Sequence, residues 1–222
     1  MVKVLSQSYL ISAISEAEKK ERAADFSGET IEGFIISDRQ IKVPLFFKNA
    51  KILSQVYFNN VAFEKEVNFE GATINGAFSI SESEIKENFI SRKVSVRESF
   101  NLTGNVFKKN LDLEGAQVRG FLSLNKSKIA GRANFKKINV LDLQEKIGKI
   151  VGNFYFENGI AGEVIVENST IEGNLSLSAT QILNFLSIAN TIIKGEIKLS
   201  HKEILQAKIR ERKKPESELQ ST

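Results

Sequence analysis

The chain has no cysteine and no tryptophan, two prolines, one methionine and one histidine among its 222 residues. Lack of cysteine excludes disulfides, thiolate catalysis and Cys-ligated metals together and is consistent with a reducing compartment, so a cytoplasmic location is expected. With His201 as the sole histidine there is no Ser-His-Asp order and no H-E-x-x-H pair, and a phosphate-binding P-loop is also missing. No catalytic residue, cofactor or metal is therefore expected. No segment approaches the roughly 18 apolar residues of a membrane span. The weak apolar start MVKVLSQSYLISAIS is interrupted by Ser6, Gln7 and Ser8 and followed by EAEKKER, which argues against a cleaved signal peptide. Charge is not lacking, but it is uneven. The formal net charge is +4, and the excess sits between His201 and Lys214, where six Lys/Arg face Glu203 and Glu211. The body up to residue 200 is close to neutral.

What the sequence does have is a fixed period. In INGAFSISESE, residues 74–84, apolar side chains occupy positions 1, 5 and 7, and a small or β-branched residue occupies position 10. The pattern recurs in steps of eleven. Position 1 reads Ile74, Ile85, Val96, Phe107, Val118 and Ile129; position 5 reads Phe78, Phe89, Phe100, Leu111 and Leu122; position 7 reads Phe69, Ile80, Leu102, Leu113 and Leu124. Ser91 at position 7 and Ala133 at position 5 are the weak members. Eleven residues also make about three α-helical turns. At roughly 100° per residue, however, positions 1, 5 and 7 point near 0°, 40° and 240°, which is not one stripe. Positions 5 and 7, then 10 and 1, are pairs two apart, and such pairs share one face of a strand. Each unit is thus two short strands joined by turns of Gly, Asn, Ser, Lys and Glu, and fixed-period self-similarity marks a solenoid. Counting the irregular unit and a short first one, sixteen units lie between Ile31 and Glu203, and two units per coil makes eight coils. The expected fold is an all-β solenoid of about eight coils, on the order of 35 to 40 Å long at roughly 4.8 Å per coil. Its candidate core is Phe69, Ile74, Phe78, Ile80, Leu111, Leu113, Val118, Leu122, Leu124, Ile129, Ile171, Leu175 and Leu177.

Taken in order, residues 1–25 are expected to form an N-terminal capping helix, with Leu10, Ile11, Ile14 and Ala17 at helical spacing over 8–24. Residues 26–200 form the repeat domain, with Pro44 in a turn before a strand. The repeat is irregular at 140–149, where VLDLQEKIGK puts Gln144 and Lys146 in core positions; this is a coil with a side loop or a short bulged helix. The frame then resumes with Ile150, Ile160, Ile171, Ile182 and Ile193 at position 1. Residues 201–214, with Ile204, Leu205, Ala207 and Ile209, are expected to form a second capping helix, stopped by Pro215, and 215–222 a disordered tail. Gly33, Gly76, Gly120, Gly131, Gly152, Gly162, Gly173 and Gly195 share one slot of the repeat and read as turn residues.

The strings FEGATINGAF, LEGAQVRGFLSL and STIEGNLSL resemble the pentapeptide-repeat family, in its divergent branch with F-x-G-A-x-[FI]-x-G units every eleven residues. The resemblance implies a right-handed, four-sided β-helix. The family's best-known activity is mimicry of duplex DNA by an acidic rod that binds type II topoisomerases. That activity is not carried over, because a mimic should concentrate carboxylates on one face and here Lys and Glu are interspersed.

The functional expectation is a non-enzymatic scaffold that presents a flat face to a protein partner not identifiable from sequence, with a homodimer as one arrangement. Two other classes are a bactofilin-like polymer and an enzyme with a site near 140–149. The candidate interaction residues are Asp142 and Glu145 in the interruption and Lys208, Arg210, Arg212 and Lys213 in the basic C-terminal stretch. The basic stretch reads as a solvated helix end ahead of a nucleic-acid or anionic membrane contact. Removing residues 201–222 is expected to expose a coil end and cause aggregation.

Overall fold

A computed structural model describes residues 3–141, 143–145, 148–150 and 152–199, and only the backbone between 143 and 150. Asp142, the side chain of Glu145, His201, the expected C-terminal cap at 201–214 with Lys208, Arg210, Arg212 and Lys213, and the tail at 215–222 lie outside the described residues.

Short strands stack in parallel, each beside its counterpart one turn away. Phe78 pairs with Val56 on one side and Phe100 on the other, and Ile74 with Ile52 and Val96, offsets of 22 residues. Phe89 pairs with Val67 and Leu111, and Ile85 with Phe63 and Phe107. Four parallel ladders follow, called here the Ile74, Phe78, Ile85 and Phe89 ladders, and together they make a β-solenoid of about eight turns. The Ile74 ladder runs through nine strands, from Val4–Leu5 to Ile192–Ile193.

Because equivalent slots stack, like side chains meet like. Phe47 lies on Phe69 with ring centroids 4.5 Å apart, and Phe78 on Phe100 at 4.6 Å, contacts worth about 0.5–1.5 kcal/mol each beyond burial. Phe69, Ile74, Phe78, Ile80, Leu111, Leu113, Val118, Leu122, Leu124, Ile129, Ile171, Leu175 and Leu177 are all at most 1% exposed. The two weak positions are also buried, at 0%, and each is matched in volume within its own repeat unit. Ser91 follows Phe89, and Ala133 precedes Phe135, so a small residue stands beside a large one and the cross-section stays filled.

Position 10 on the Ile85 side is polar in several turns, and its side chains knit the turns together. Ser83 Oγ accepts the Val61 N–H at 2.9 Å, Asn105 Oδ1 that of Ser83 at 2.9 Å, and Ser127 Oγ that of Asn105 at 3.1 Å. Each also donates inward, Asn105 Nδ2 to the Ile80 carbonyl and Ser127 Oγ to that of Leu102. Every buried polar group in this column is therefore partnered.

The turns differ from the sequence expectation. The left-handed slot is position 9, filled by Asn49, Asn60, Lys93, Lys126 and Lys137 with φ of 53° to 60° as well as by glycines such as Gly71. The glycine slot at position 3 serves chiefly close approach between turns. A Cβ at Gly76 would lie 2.9 Å from the Ser54 carbonyl carbon, and one at Gly131 3.0 Å from that of Lys109. Only Gly33 and Gly120 of that set have a positive φ.

Of the two expected forms, a coil with a side loop and a bulged helix, the interruption takes the first kind, with strands in the loop. Leu143–Glu145 and Gly148–Ile150 form an antiparallel hairpin, and across it the ladder offset grows from 22 to 31 or 32, as Val140 pairs with Ile171 and Leu122 with Phe154. Nine or ten residues thus leave the stack as a side hairpin, so this segment does not count as a repeat unit. Beyond it, Ala161 rather than Ile160 takes the inward slot: Ala161 pairs with Ile129 and Ile182 and is 0% exposed, while Ile160 faces outward beside Lys128 and Gln181. That unit is one residue short, with a register shift between Ala161 and Glu163.

At the amino end, helix α1 spans Gln7–Lys19, shorter than the sequence suggests. Ser6 Oγ caps it by accepting the Tyr9 N–H at 3.3 Å. It stops because Glu21 turns left-handed, with the Glu21 N–H on the Glu18 carbonyl and that of Arg22 on Ala17, a Schellman closure made without glycine. The solenoid also starts before Phe26: Val4–Leu5 pairs with Thr30–Ile31, and Ala24–Asp25 with Leu45–Phe46. Pro44 immediately precedes the latter strand. Leu10, Ile14 and Ala17 bury α1 against the first turn, and Glu18 accepts from Arg39 at 2.7 Å and from the Lys42 N–H at 3.1 Å.

Candidate functional site

Outward side chains stack by the same rule as inward ones, so each face carries rows of residues at fixed spacing, and the rows differ in charge. On the Ile85 face, cations meet carboxylates one turn away: Lys86 Nζ lies 2.8 Å from Glu64, Lys108 Nζ 3.0 Å from Glu84, and Lys109 pairs with Glu87. The Glu64 carboxyl is held below its usual range by hydrogen bonds from Lys86 and Gln40, and Lys86 is raised in turn by Glu64. Glu167 is lowered by Ser187 and then Lys136, and Glu16 by Lys20. These ion pairs lie at the surface and tie turns or helix residues together, each contributing little to stability, while the Glu167–Ser187 hydrogen bond is part-buried.

The Ile74 face is different. Between residues 51 and 141 its two outward rows run Lys51, Thr73, Ser95, Gln117, Asn139 and Leu53, Asn75, Arg97, Arg119, Leu141; neither contains a carboxylate over that stretch, while Glu32 precedes Leu53 and Glu172 follows Leu141 in the second row. Pairing of Ser95 with Gln117 and Val96 with Val118 sets Arg97 and Arg119 side by side, about 5 Å apart at strand spacing. Of the six described arginines, Arg22, Arg39, Arg92 and Arg132 each have a carboxylate within 4.0 Å. Arg97 and Arg119 have no such partner among the described residues. Thr73, Asn75, Ser95, Gln117 and Leu141 line a shallow depression of about 280 Å³ with them. Two like charges at this spacing repel, and a planar guanidinium is suited to bidentate binding of a carboxylate or phosphate. The arrangement can thus hold an oxyanion.

The side hairpin borders this row, since Leu141 pairs with Arg119 and Leu143 opens the hairpin. A second depression, lined by Asn110, Arg132, Glu163 and Asn184, is spanned by the Arg132–Glu163 ion pair at 2.7 Å. A third lies between α1 and the first turn, by Tyr9, Glu16, Arg22 and Glu29. Among the described residues no three His, Cys, Asp or Glu cluster to hold a metal, and no helix is long and apolar enough to cross a membrane.

Sequence reasoning passed over Arg97 and Arg119. The signal was available at a period of twenty-two rather than eleven: reading every second unit places both at position 2 of one face and shows that no acid shares their rows from residue 51 to 141. No protein-family profile, curated protein sequence or solved structure matches the chain.

Proposed function

We propose that the chain is a non-enzymatic β-solenoid scaffold whose Ile74 face docks an acidic segment of a protein partner. The observation that carries this reading is the pair Arg97 and Arg119, adjacent, exposed and without a carboxylate partner among the described residues, on a stretch of the face whose outward rows hold no acid between residues 51 and 141. Arginine is enriched among residues that anchor interfaces, and a rigid ladder holds both guanidiniums in place before the partner arrives. The finer architecture belongs to the same proposal: two eleven-residue units per turn, a right-handed coil as in the pentapeptide-repeat family that the sequence resembles, and a cap at each end. A cationic row speaks against the DNA-mimic activity of that family, because such a mimic presents carboxylates.

The test is affinity capture from the source cell with wild-type protein, the Arg97→Glu/Arg119→Glu variant, and a Lys86→Glu control on another face. A partner retained by wild type and the control, released by raised salt and lost from the arginine variant is the expected result. An identical set of captured proteins for all three would overturn the proposal.

A further inference from the structure

The depression at Arg97 and Arg119 is set apart by what its side chains leave unpaired. On other faces outward polar groups pair across turns, as Asn60 does with Asp38 at 2.7 Å, Ser81 with Asn59 at 3.0 Å and Asn134 with Asp112 at 3.0 Å. Thr73, Asn75, Ser95, Arg97, Gln117 and Arg119 line one depression, and none of these six side chains has a hydrogen-bond or ion-pair partner among the described residues. Each can donate a hydrogen bond, and none carries negative charge. They form two rows about 6.6 Å apart, the span of two residues along a strand. The row of Thr73, Ser95 and Gln117 holds no carboxylate from Thr30 to Thr170. The arginine row does end on carboxylates, with Glu32 three turns before Arg97 and Glu172 two turns after Arg119, so its cationic stretch is two residues long.

We infer that the group held between Arg97 and Arg119 is a phosphoryl monoester, so that the partner's segment docks in its phosphorylated form; this rests on the docking reading above. Two guanidiniums fixed about 5 Å apart repel, and a single carboxylate, with one charge and two oxygens, satisfies only one of them. Arg39 with Glu18 and Arg132 with Glu163 show that one-to-one ratio, each at 2.7 Å. A phosphoryl monoester carries about −1.5 to −2 charge at pH 7 and three acceptor oxygens, which matches both forks at once. The neighbouring row then serves the main chain of the segment, because Thr73, Ser95 and Gln117 offer hydrogen bonds within the same depression. A nucleic-acid backbone is the poorer match, since its binding draws on a longer run of cations and the arginine row turns acidic at both ends.

The experiment titrates isotope-labelled full-length protein and follows the side-chain Nε–H signals of Arg97 and Arg119 by NMR. The probes are a phosphoserine peptide flanked by glycines, a charge-matched peptide with two glutamates, inorganic phosphate and a short single-stranded DNA. The phosphoserine peptide is expected to shift both signals saturably, to bind at least about threefold tighter than each other probe, and to lose this binding in Arg97→Gln and in Arg119→Gln. Its binding should tighten between about pH 5 and pH 7.5, as the phosphoryl group loses its second proton near pH 6. The glutamate peptide meets the same protein charges, Lys51, Glu32, Glu98 and Glu172 among them, and controls for their titration. In capture from the source cell, phosphatase treatment of the lysate should remove the partner that wild type otherwise retains. Another probe bound within about threefold of the phosphoserine peptide, affinity that does not rise with pH, or a partner kept after phosphatase would each overturn the inference and leave the docking reading standing. Absence of any saturable arginine shift with the phosphoserine peptide overturns it too, whereas the docking reading falls only if the arginine variant captures the same proteins as wild type.

Discussion

Replacing Ser91 by alanine should stabilise the protein, although the residue is fully buried and most core substitutions destabilise. Ser91 Oγ sits at 0% exposure with no hydrogen-bond partner among the described residues, and an unmade hydrogen bond in such a place costs about 1–3 kcal/mol. Deleting the oxygen removes that cost and forfeits a few dispersion contacts of about 0.1–0.2 kcal/mol each. The net gain is about 1 kcal/mol, or a rise in Tm of roughly 2–4 °C for a chain of this size. The same substitution at Ser83 should act in the opposite direction. Its hydroxyl accepts the Val61 N–H at 2.9 Å and donates to the Ser81 carbonyl at 2.8 Å, so alanine leaves a buried N–H unpaired at a cost of about 1–3 kcal/mol. Thermal unfolding followed by far-UV circular dichroism reads both. If Ser91→Ala lowers Tm as much as Ser83→Ala, the Ser91 hydroxyl has a partner and the reasoning fails.

Gly76→Ala should cost about 1–3 kcal/mol by pressing its Cβ on the backbone of Ser54 and Gln55, whereas Lys126→Gly, at φ 60°, trades left-handed strain for chain entropy and should change stability by less than about 1 kcal/mol; urea midpoints distinguish them. Deleting residues 142–151 should leave the solenoid folded, because it returns the Leu122–Phe154 offset of 32 to that of the regular turns, and an unchanged β-type dichroism with cooperative unfolding is the result to look for. Glu64 and Glu167 have carboxyls lowered from the usual 4.5, so what they contribute is complete above that value and is lost as the pH falls through their folded-state range; Lys86, raised from 10.5, contributes fully below that pH and loses its share as the pH climbs through its raised range. Urea titrations at fixed pH should therefore show Glu64→Gln flattening the acid side of the stability profile, while a profile unchanged by that substitution would remove the pair from the account.

The solenoid was legible because its cause is periodic. Inward slots two apart recur every eleven residues, and nothing but a stack of strands buries Phe78, Ile80 and Ile85 together. Features set by contact between turns were not legible at that period. Gly76 looks like any other turn glycine until the backbone of Ser54 is placed against it, and the left-handed slot was hidden because Asn and Lys fill it more often than glycine does. The end of α1 was missed for a related reason, since Glu21 adopts the conformation that a glycine would have announced. Ile160 was misplaced because one missing residue moves every side chain after it to the other face of a strand, and Ala161, too small to mark the pattern, takes the slot.

Departures from the repeat therefore divide by direction, and the division bears on function. Inward departures are compensated close by. Ser91 stands beside Phe89 and Ala133 beside Phe135, while Asn105 and Ser127 replace lost apolar contact with hydrogen bonds to the neighbouring turn. Such substitutions preserve the cross-section, which the turn above and the turn below both require. An outward residue has no such obligation, because its slot faces water. On the Ile85 face the outward charges are balanced across turns, Lys86 with Glu64 and Lys108 with Glu84, as expected for a surface that only holds the stack. On the Ile74 face Arg97 and Arg119 have no balancing carboxylate among the described residues, and the side hairpin leaves the stack next to them. Nothing in the packing of the described turns calls for two adjacent guanidiniums, which is the ground for the proposal that their charge is directed at a partner. Replacing both by glutamine should accordingly leave Tm within about 1 °C, since removing surface charge away from packed features shifts stability by no more than about 0.5 kcal/mol, while it removes the affinity for an acidic partner. A Tm drop of several degrees would mean instead that the pair serves the fold.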